Sequence, residues 1–142
     1  MFKKVLVPID LEEPEFASRS MELALREVQQ SGAELHLMSV MPGYSSTLVA
    51  SYFGESDRKA AVQDMAQKLK EFAAQRVPAG VPLVLKVYEG HPAQSILNRI
   101  SKAGIDLVIM SAHHHSKIDE FLMGSTSARV VDRAKCSVLV LR

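Results

Sequence analysis

The sequence predicts an α/β protein built on a five-stranded parallel sheet with helices on both faces. Short apolar segments alternate with longer segments of helical periodicity, in the order β-α-β-α-β-α-β-α-β. The apolar segments are rich in Val, Ile and Leu, as strands covered on both faces are. Polar residues follow these segments at once. Ligand-binding loops are therefore expected beyond the carboxyl ends of the strands.

Five strands are predicted from short apolar runs bounded by polar or turn-forming residues. Asp10 ends the first strand, and the polar run that begins at Ser111 ends the fourth. The strands are expected at Lys4 to Ile9, Glu34 to Val40, Val81 to Tyr88, Leu107 to Met110 and Cys136 to Leu141.

Four helices are predicted from apolar residues at helical spacing. Pro14 suits the start of the first helix, and Gly32 and Gly104 suit the ends of the first and third. Residues from Pro42 to Asp57 show little pattern and are expected to form a long loop. The predicted buried stripes are Ala17, Met21, Ala24, Leu25 and Val28; Ala61, Met65, Leu69, Phe72 and Ala73; Ala93, Ile96, Leu97 and Ile100; and Ala128, Val131 and Ala134.

The stretch from Val108 to Ser127 is interpreted as a buried strand, a polar loop and the first turn of a helix that Gly124 opens. A helix start carries several backbone N–H groups without a partner inside the helix, and its dipole favours negative charge. Gly124 lets a ligand approach this backbone closely, and Ser125, Thr126 and Ser127 add three hydroxyls. Together these features indicate a phosphate site.

Length and composition restrict the class of protein. A chain of 142 residues fits one domain, expected to span residues 1–142. The net charge of +1 indicates no general attraction to nucleic acid or to membranes, and no stretch is long enough to span a bilayer. The N-terminus lacks a signal-peptide layout. Because the single Cys136 forms no internal disulfide, a cytoplasmic location is expected.

Four parts of the chain resemble a universal stress protein. They are Leu6-Val7-Pro8-Ile9-Asp10, Leu35-His36-Leu37-Met38-Ser39-Val40, Glu89-Gly90-His91-Pro92 and the region from Asp106 to Arg142. In the last region, Gly124-Ser125-Thr126 and Cys136-Ser137-Val138-Leu139-Val140 are the most specific. The resemblance covers essentially the whole chain. It implies a Rossmann-like sheet of the adenine nucleotide alpha hydrolase type, with strand order 3-2-1-4-5, and a homodimer.

One large group in that family binds ATP, and the chain resembles most closely a branch with a His-containing loop. The implied ligand is ATP, with or without Mg²⁺. By position, the resemblance places the adenine near Ile9, Asp10 and Val40, and the ribose and phosphates near Met110, Ser111, His114, Gly124, Ser125 and Thr126. Pro8 is a further expected nucleotide-binding residue.

The ATP signature of that group has glycine, two residues, glycine, nine residues, then glycine and serine or threonine. Ser111, His114 and Gly124-Ser125 stand at these positions, so the spacing holds while two of the three glycines are replaced. The Ser111 hydroxyl is expected to be available as a donor. If the backbone at this position has a positive φ, His114 adopts it at a cost of roughly 1 kcal/mol. In exchange, its imidazole is within reach of phosphate. We expect nucleotide binding to be retained but weaker.

Several polar residues near this segment have two interpretations. Asp10 either contacts the nucleotide, directly or through Mg²⁺, or accepts local N–H groups in a turn. His113-His114-His115 is interpreted as a phosphate-facing or solvated loop rather than a metal site, because adjacent residues on an extended chain point in alternating directions. Lys117, Arg129 and Arg133 either face the site or form a solvated surface. Cys136 is expected to be core, with no lowered thiol pKa.

The leading interpretation is a cytoplasmic stress protein that binds ATP as a regulatory ligand. No catalytic residue is assigned, and any hydrolysis is expected to be slow because no obvious base could activate water. A scaffold that acts through protein–protein contacts is the alternative. A receiver-like domain phosphorylated on Asp10 is disfavoured, since it lacks the paired acidic residues and the lysine of that class. The apolar strand Cys136 to Leu141 is expected to pair in a homodimer.

Overall fold

The computed structural model describes residues 1–42, 54–112 and 124–142. Within these ranges the chain forms five strands, four α-helices and one 3₁₀ turn, Pro14–Ala17, that leads directly into the first helix. The strands are β1 (Lys4–Pro8), β2 (Glu34–Pro42), β3 (Leu83–Gly90), β4 (Leu107–Ser111) and β5 (Ser137–Leu141). The helices are α1 (Ser18–Ser31), α2 (Glu55–Arg76), α3 (Pro92–Ala103) and α4 (Ser125–Arg133).

All five strands are parallel and lie in the order β3-β2-β1-β4-β5. The predicted fold class and strand order are confirmed. The order reverses next to β1, because the chain moves outward to β2 and β3 and then returns to β4 on the other side. In parallel sheets the crevice beyond such a reversal is where ligands bind.

The sheet is buried on both faces, because successive strand residues point to opposite sides. One face packs against α1 and α2, and the other against α3 and α4. Each fully buried Leu or Val contributes roughly 1.5–3 kcal/mol relative to an exposed one. The strand residues on the first face include Val5, Val7, Leu35, Leu37 and Ile109, and those on the second include Leu6, Met38, Val108 and Met110.

Two glycines end helices where the sequence predicted. Gly32 follows α1 with φ 73° and Gly104 follows α3 with φ 70°, a left-handed conformation that glycine adopts without a Cβ penalty. Their N–H groups donate to the carbonyls of Val28 at 2.9 Å and of Ile100 at 3.1 Å. These bonds satisfy carbonyls that the helix itself leaves without donors.

Several predicted boundaries shift. The segment from Pro42 to Asp57 is not a loop throughout, because β2 includes Pro42 and α2 begins at Glu55; residues 43–53 lie outside the described ranges. β3 begins at Leu83 rather than Val81. The paired residues of β3 begin at Leu83, opposite Leu35. The preceding Pro82 accepts the Leu35 N–H at 2.8 Å but has no N–H of its own to donate. Among the helices of the described ranges, none is long and apolar enough to cross a membrane.

The predicted α4 stripe of Ala128, Val131 and Ala134 is wrong at Val131, whereas Ala134 packs against the buried cluster. Val130 is fully buried and Ser127 is 3% exposed, whereas Val131 is 45% exposed. Val130 joins the cluster that contains Met110 and Val108. The apolar residues of this short helix occupy more than one side. Packing against the sheet therefore determines which face of α4 is buried, and the 3.6-residue spacing of apolar residues alone does not determine it.

Candidate functional site

The carboxyl ends of β1, β2 and β4 meet at one edge of the sheet, on either side of the strand-order reversal. Asp10 follows β1, Val40 lies near the end of β2, and Ser111 is the last residue of β4. The start of α4 follows β4 in the chain. The topology therefore brings most of the predicted site residues to the same edge.

Asp10 is exposed and forms a turn immediately after β1. Its Oδ1 accepts the Glu12 N–H at 3.0 Å, and its carbonyl accepts the Glu13 N–H at 3.2 Å. Such bonds within the turn are characteristic of aspartate at a chain reversal. The turn interpretation of Asp10 is therefore confirmed. Its contact with a nucleotide remains a prediction.

Ile9 is fixed to β2 by two hydrogen bonds at the base of this turn. Its N–H donates to the Met38 carbonyl at 2.8 Å, and its carbonyl accepts the Ser39 hydroxyl at 2.8 Å. Ser39 is 2% exposed. Because a buried hydroxyl without a partner is costly, this bond holds the ends of β1 and β2 together. The sequence contained Ser39 within a matching segment, but nothing in its pattern identified this contact.

Val40 and Met110 lie on the sheet face that packs against α3 and α4. Val40 is partly buried, whereas Met110 is 4% exposed. Pro8, the last residue of β1, is partly buried. All three side chains are apolar. Val40 belongs to the predicted adenine end, whereas Met110 belongs to the predicted ribose and phosphate end.

Ser111 points to the opposite face of the sheet from Met110, because strand side chains alternate. Its hydroxyl donates to the Phe16 carbonyl at 2.7 Å and lies 3.5 Å from the Ser20 hydroxyl. The Ser111 hydroxyl is therefore directed toward α1 and the 3₁₀ turn. The arrangement gives no support to the expectation that this hydroxyl donates to a nucleotide.

α4 begins at a residue that has no side chain to cap it. Gly124 is the N-cap, with φ −58° and ψ 154°, and the first helical bond runs from the Ala128 N–H to the Gly124 carbonyl at 2.9 Å. The N–H groups of Ser125, Thr126 and Ser127 come before that bond. No carbonyl within the helix accepts a hydrogen bond from them. Ser125 is exposed and Thr126 is partly exposed. This geometry is suited to an anion.

The remaining predicted residues divide into two groups. His113-His114-His115 and Lys117 lie outside the described ranges. Arg129 and Arg133 are exposed on α4, as the solvated-surface interpretation requires. In the part of the chain that the structure describes, no group of three or more His, Cys, Asp or Glu side chains is placed to hold a metal ion.

Cys136 precedes β5 and is partly buried. Burial raises the pKa of its thiol, because the thiolate loses solvation. The expectation of no lowered thiol pKa is confirmed. A protonated thiol is a poor nucleophile, so Cys136 contributes packing against the face that contains α3 and α4.

The universal stress protein family model matches residues 1–142 of this chain. Two relatives of similar length match this chain over its whole length. The universal stress protein YxiE of Bacillus subtilis is 25% identical over 150 residues, with full coverage of both chains. The universal stress protein encoded in the QAH/OAS sulfhydrylase 3′ region of Thermus aquaticus is 29% identical over 145 residues, also with full coverage of both.

Solved structures share the fold. A universal stress protein in complex with cAMP has a TM-score of 0.73 at 19% identity, with 99% of this chain and 97% of that one covered. The universal stress protein from Archaeoglobus fulgidus in complex with dAMP has a TM-score of 0.65 at 13% identity, with 99% and 98% covered. At these identities the likeness establishes the common fold, and the bound nucleotides are properties of those two proteins.

Proposed function

This chain belongs to the universal stress protein family, and we propose that it is a cytoplasmic regulator that binds ATP, or a related adenine nucleotide, in the stress response. The proposal assigns the nucleotide to the carboxyl edge of the sheet. Two structural relatives bind adenine nucleotides, cAMP in one and dAMP in the other, which supports this class of ligand.

One observation carries the proposal: α4 starts at this edge on a residue that has no side chain. A serine or aspartate at the N-cap would accept an N–H of the first turn and compete with an anion. Gly124 leaves those amides to a ligand, and its hydrogen atom in place of Cβ lets phosphate oxygens come close. The exposed hydroxyl of Ser125 adds a further donor beside them.

The two ends of the site differ in character, as the two ends of a nucleotide do. The adenine is assigned to the apolar end, and the ribose and phosphates to the end that faces α4. In the proposal the adenine lies near Ile9, Asp10 and Val40, with Pro8 also in the nucleotide site. The ribose and phosphates lie near Met110, Ser111, His114, Gly124, Ser125 and Thr126. The backbone of Ser111 belongs to this second set, since its hydroxyl is directed to the other face.

Magnesium is expected to arrive with the nucleotide rather than to occupy a preformed site. Mg²⁺ is held in many nucleotide sites by phosphates, water and one or two carboxylates. Asp10 fits as that carboxylate, because it is exposed at the same edge. When bound, the ion would neutralise phosphate charge. Such a site needs no cluster of acidic ligands.

Calorimetry with Mg-ATP tests the proposal on the wild-type protein and on Ser125→Glu. The new carboxylate sits in the first turn of α4 and is attracted to the amides that the proposal assigns to phosphate. We expect wild type to bind, and Ser125→Glu to bind on the order of tenfold more weakly or worse, because an anion already occupies the helix start. Thermal unfolding should show Ser125→Glu to be at least as stable as wild type.

Ser101→Glu is the matched control, since Ser101 is an exposed serine on α3 near the amino edge of the sheet. It introduces the same charge away from the proposed site, so its ATP affinity should remain within about twofold of wild type. Absence of ATP binding by the wild-type protein would refute the function. Equal affinities for wild type and Ser125→Glu would refute the location.

A second role, as a dimeric scaffold, is favoured by the surface beside β5. β5 is an edge strand of the sheet. Leu139 on this strand is 40% exposed, and Val131 on α4 is 45% exposed. Apolar edge strands are usually covered in native proteins, and pairing about a two-fold axis covers both copies at once. We therefore include in the proposal a homodimer through the segment Cys136 to Leu141, of which Ser137–Leu141 forms β5.

Sedimentation or light scattering at micromolar concentration tests the dimer. Wild type should have twice the monomer mass, and Leu139→Lys should lower that mass by placing a charge in the interface. Leu83→Lys is the matched control, because Leu83 is 36% exposed on β3 at the other edge of the sheet. A monomeric wild type, or an equal effect of both variants, would contradict the assignment. A dimer without ATP binding would favour the scaffold role alone.

A further inference from the structure

Ser111 stands at the first signature position, where the resemblance implies a glycine, and its side chain has a specific partner on another element. Its hydroxyl donates to the Phe16 carbonyl at 2.7 Å. The two residues are 95 positions apart in the chain. Glycine at this position could not make the bond. The serine therefore adds a contact between the end of β4 and the 3₁₀ turn Pro14–Ala17.

The contact lies where the 3₁₀ turn becomes α1, and a second serine binds there. Ser20 is fully buried, its hydroxyl donates to the Ala17 carbonyl at 3.0 Å, and it lies 3.5 Å from the Ser111 hydroxyl. Two successive carbonyls, those of Phe16 and Ala17, therefore each accept a serine hydroxyl. The Ser111 bond connects the turn to β4, whereas the Ser20 bond joins the turn to the first residues of α1.

The same turn connects to Asp10 through backbone hydrogen bonds. The Glu13 N–H donates to the Asp10 carbonyl at 3.2 Å, and the Phe16 N–H donates to the Glu13 carbonyl at 3.2 Å. With the bond from Ser111 to Phe16, these form an unbroken series from the end of β1 to the end of β4. Asp10 lies at the proposed adenine end, and Ser111 begins the segment that leads to the phosphate end.

We propose that Ser111 is a positioning residue that, through its hydroxyl, sets the Asp10 end of the site relative to the phosphate-binding start of α4; this inference rests on the proposed function. Without the hydroxyl, the turn loses this hydrogen bond to the end of β4. The phosphate end does not depend on this contact, because α4 packs on the opposite face of the sheet. Loss of the hydroxyl should therefore weaken recognition of the nucleoside more than recognition of phosphate.

The test compares Ser111→Ala and Ser111→Gly with Ser111→Thr, which retains a hydroxyl. Hydrogen exchange is measured at the Glu13 and Phe16 amides, and affinities are measured for Mg-ATP and for inorganic tripolyphosphate. The Ala and Gly variants should exchange about fivefold faster at both amides, the effect of losing one ordinary hydrogen bond. They should bind ATP about fivefold more weakly and tripolyphosphate within about twofold of wild type. Thr should restore both values.

Ser101→Ala is the matched control and should change neither measurement, since it removes an exposed hydroxyl near the amino ends of the strands, away from the proposed site. Unchanged exchange in Ser111→Ala would overturn the contact. Faster exchange with equal losses for ATP and tripolyphosphate would overturn the positioning role. If the wild-type protein binds neither ligand, the proposed function fails and the positioning role fails with it. If the wild-type protein and Ser111→Ala bind ATP equally well, only the positioning role fails.

Discussion

Arg99 on α3 donates a hydrogen bond from its guanidinium to Nδ1 of the buried His36 on β2, at 2.8 Å. Arginine has donors only, so Nδ1 must be the acceptor and His36 must be neutral, with its proton on Nε2. That proton is donated to Glu34 Oε1 at 2.5 Å. His36 is 3% exposed. The contact with Arg99 therefore fixes both the protonation state and the tautomer of a core histidine.

Stability should fall in acid because of His36. Burial, the largest cause, lowers the pKa of His36, and the charges of Arg99 and Lys4 lower it further, while Glu34 opposes them. The folded protein therefore binds this proton less readily than the unfolded chain, whose His pKa is about 6.5. The stabilisation is complete above about pH 6.5 and is lost as the pH falls through the lower folded pKa. Urea unfolding between pH 7.5 and 5 measures this loss.

The charged groups around His36 come from several elements, so a variant is needed to isolate its contribution. Glu34 is on β2 itself, Arg99 is on α3 and Lys4 is on β1; Lys86 on β3 lies opposite Met38, two residues farther along. His36→Gln cannot titrate in this range and should have a flatter stability profile between pH 7.5 and 5 than wild type. Identical slopes for the two proteins would show that other groups cause the acid sensitivity.

Arg99→Met should destabilise the protein at pH 7.5 and also raise the pKa of His36. Loss of the donor leaves the buried Nδ1 without a partner, at a cost of about 1–3 kcal/mol. Removal of a neighbouring positive charge favours the imidazolium, so less stability should be lost on acidification than in wild type. Histidine NMR titration and urea unfolding measure the two effects. Arg26→Met is the control, since Arg26 is exposed and pairs only with an exposed Glu22 among the described residues; a pKa of His36 unchanged in Arg99→Met would count against this account.

The corrected orientation of α4 predicts different costs for two adjacent valines. Val130→Ala removes two methyl groups from a fully buried position, which should cost about 1.5–3 kcal/mol. Val131→Ala truncates a side chain that is 45% exposed and should change the free energy of unfolding of the monomer by no more than about 0.5 kcal/mol. Denaturant unfolding at low protein concentration compares them. The reverse ranking would show that Val131, rather than Val130, is the buried valine.

Asp106 lies in the loop before β4, and its carboxylate should stabilise the start of β1. Its Oδ2 accepts the Lys3 N–H and its Oδ1 accepts the Lys4 N–H, both at 2.9 Å. Asp106→Ala loses both charge-assisted bonds and should cost about 1–3 kcal/mol. Asp106→Asn keeps one acceptor and should cost less. Thermal unfolding gives the ranking, with Asp132→Ala, an exposed aspartate on α4, as the control; no difference between the Ala and Asn variants would contradict the two-bond arrangement.

The order of the elements could be predicted because the start and end of each one depend on residues close together in the sequence. Gly32 and Gly104 mark helix ends through a backbone conformation that glycine adopts readily, and both adopt it here. The apolar runs mark strands that are buried on both faces. Parallel connections then leave few ways to arrange five strands, and the resemblance to a known family selected the order 3-2-1-4-5.

The contacts between elements could not be predicted in the same way. Whether the Ser111 hydroxyl meets a ligand or the Phe16 carbonyl depends on which face of the sheet the last residue of β4 occupies. The prediction that Val131 is buried was wrong because Val130, rather than Val131, packs in the cluster with Met110 and Val108. Gly124 was predicted at the helix start, and it is the N-cap of α4 there, with φ −58°.

The most direct test of the central claim follows the backbone amides of Ser125, Thr126 and Ser127 by ¹H–¹⁵N NMR while Mg-ATP is added. If the uncapped start of α4 holds the phosphates, these three amides should shift strongly and together with increasing ATP, and inorganic tripolyphosphate should shift the same three. ATP binding that leaves all three amides unmoved, with shifts confined to other parts of the sheet, would contradict the account.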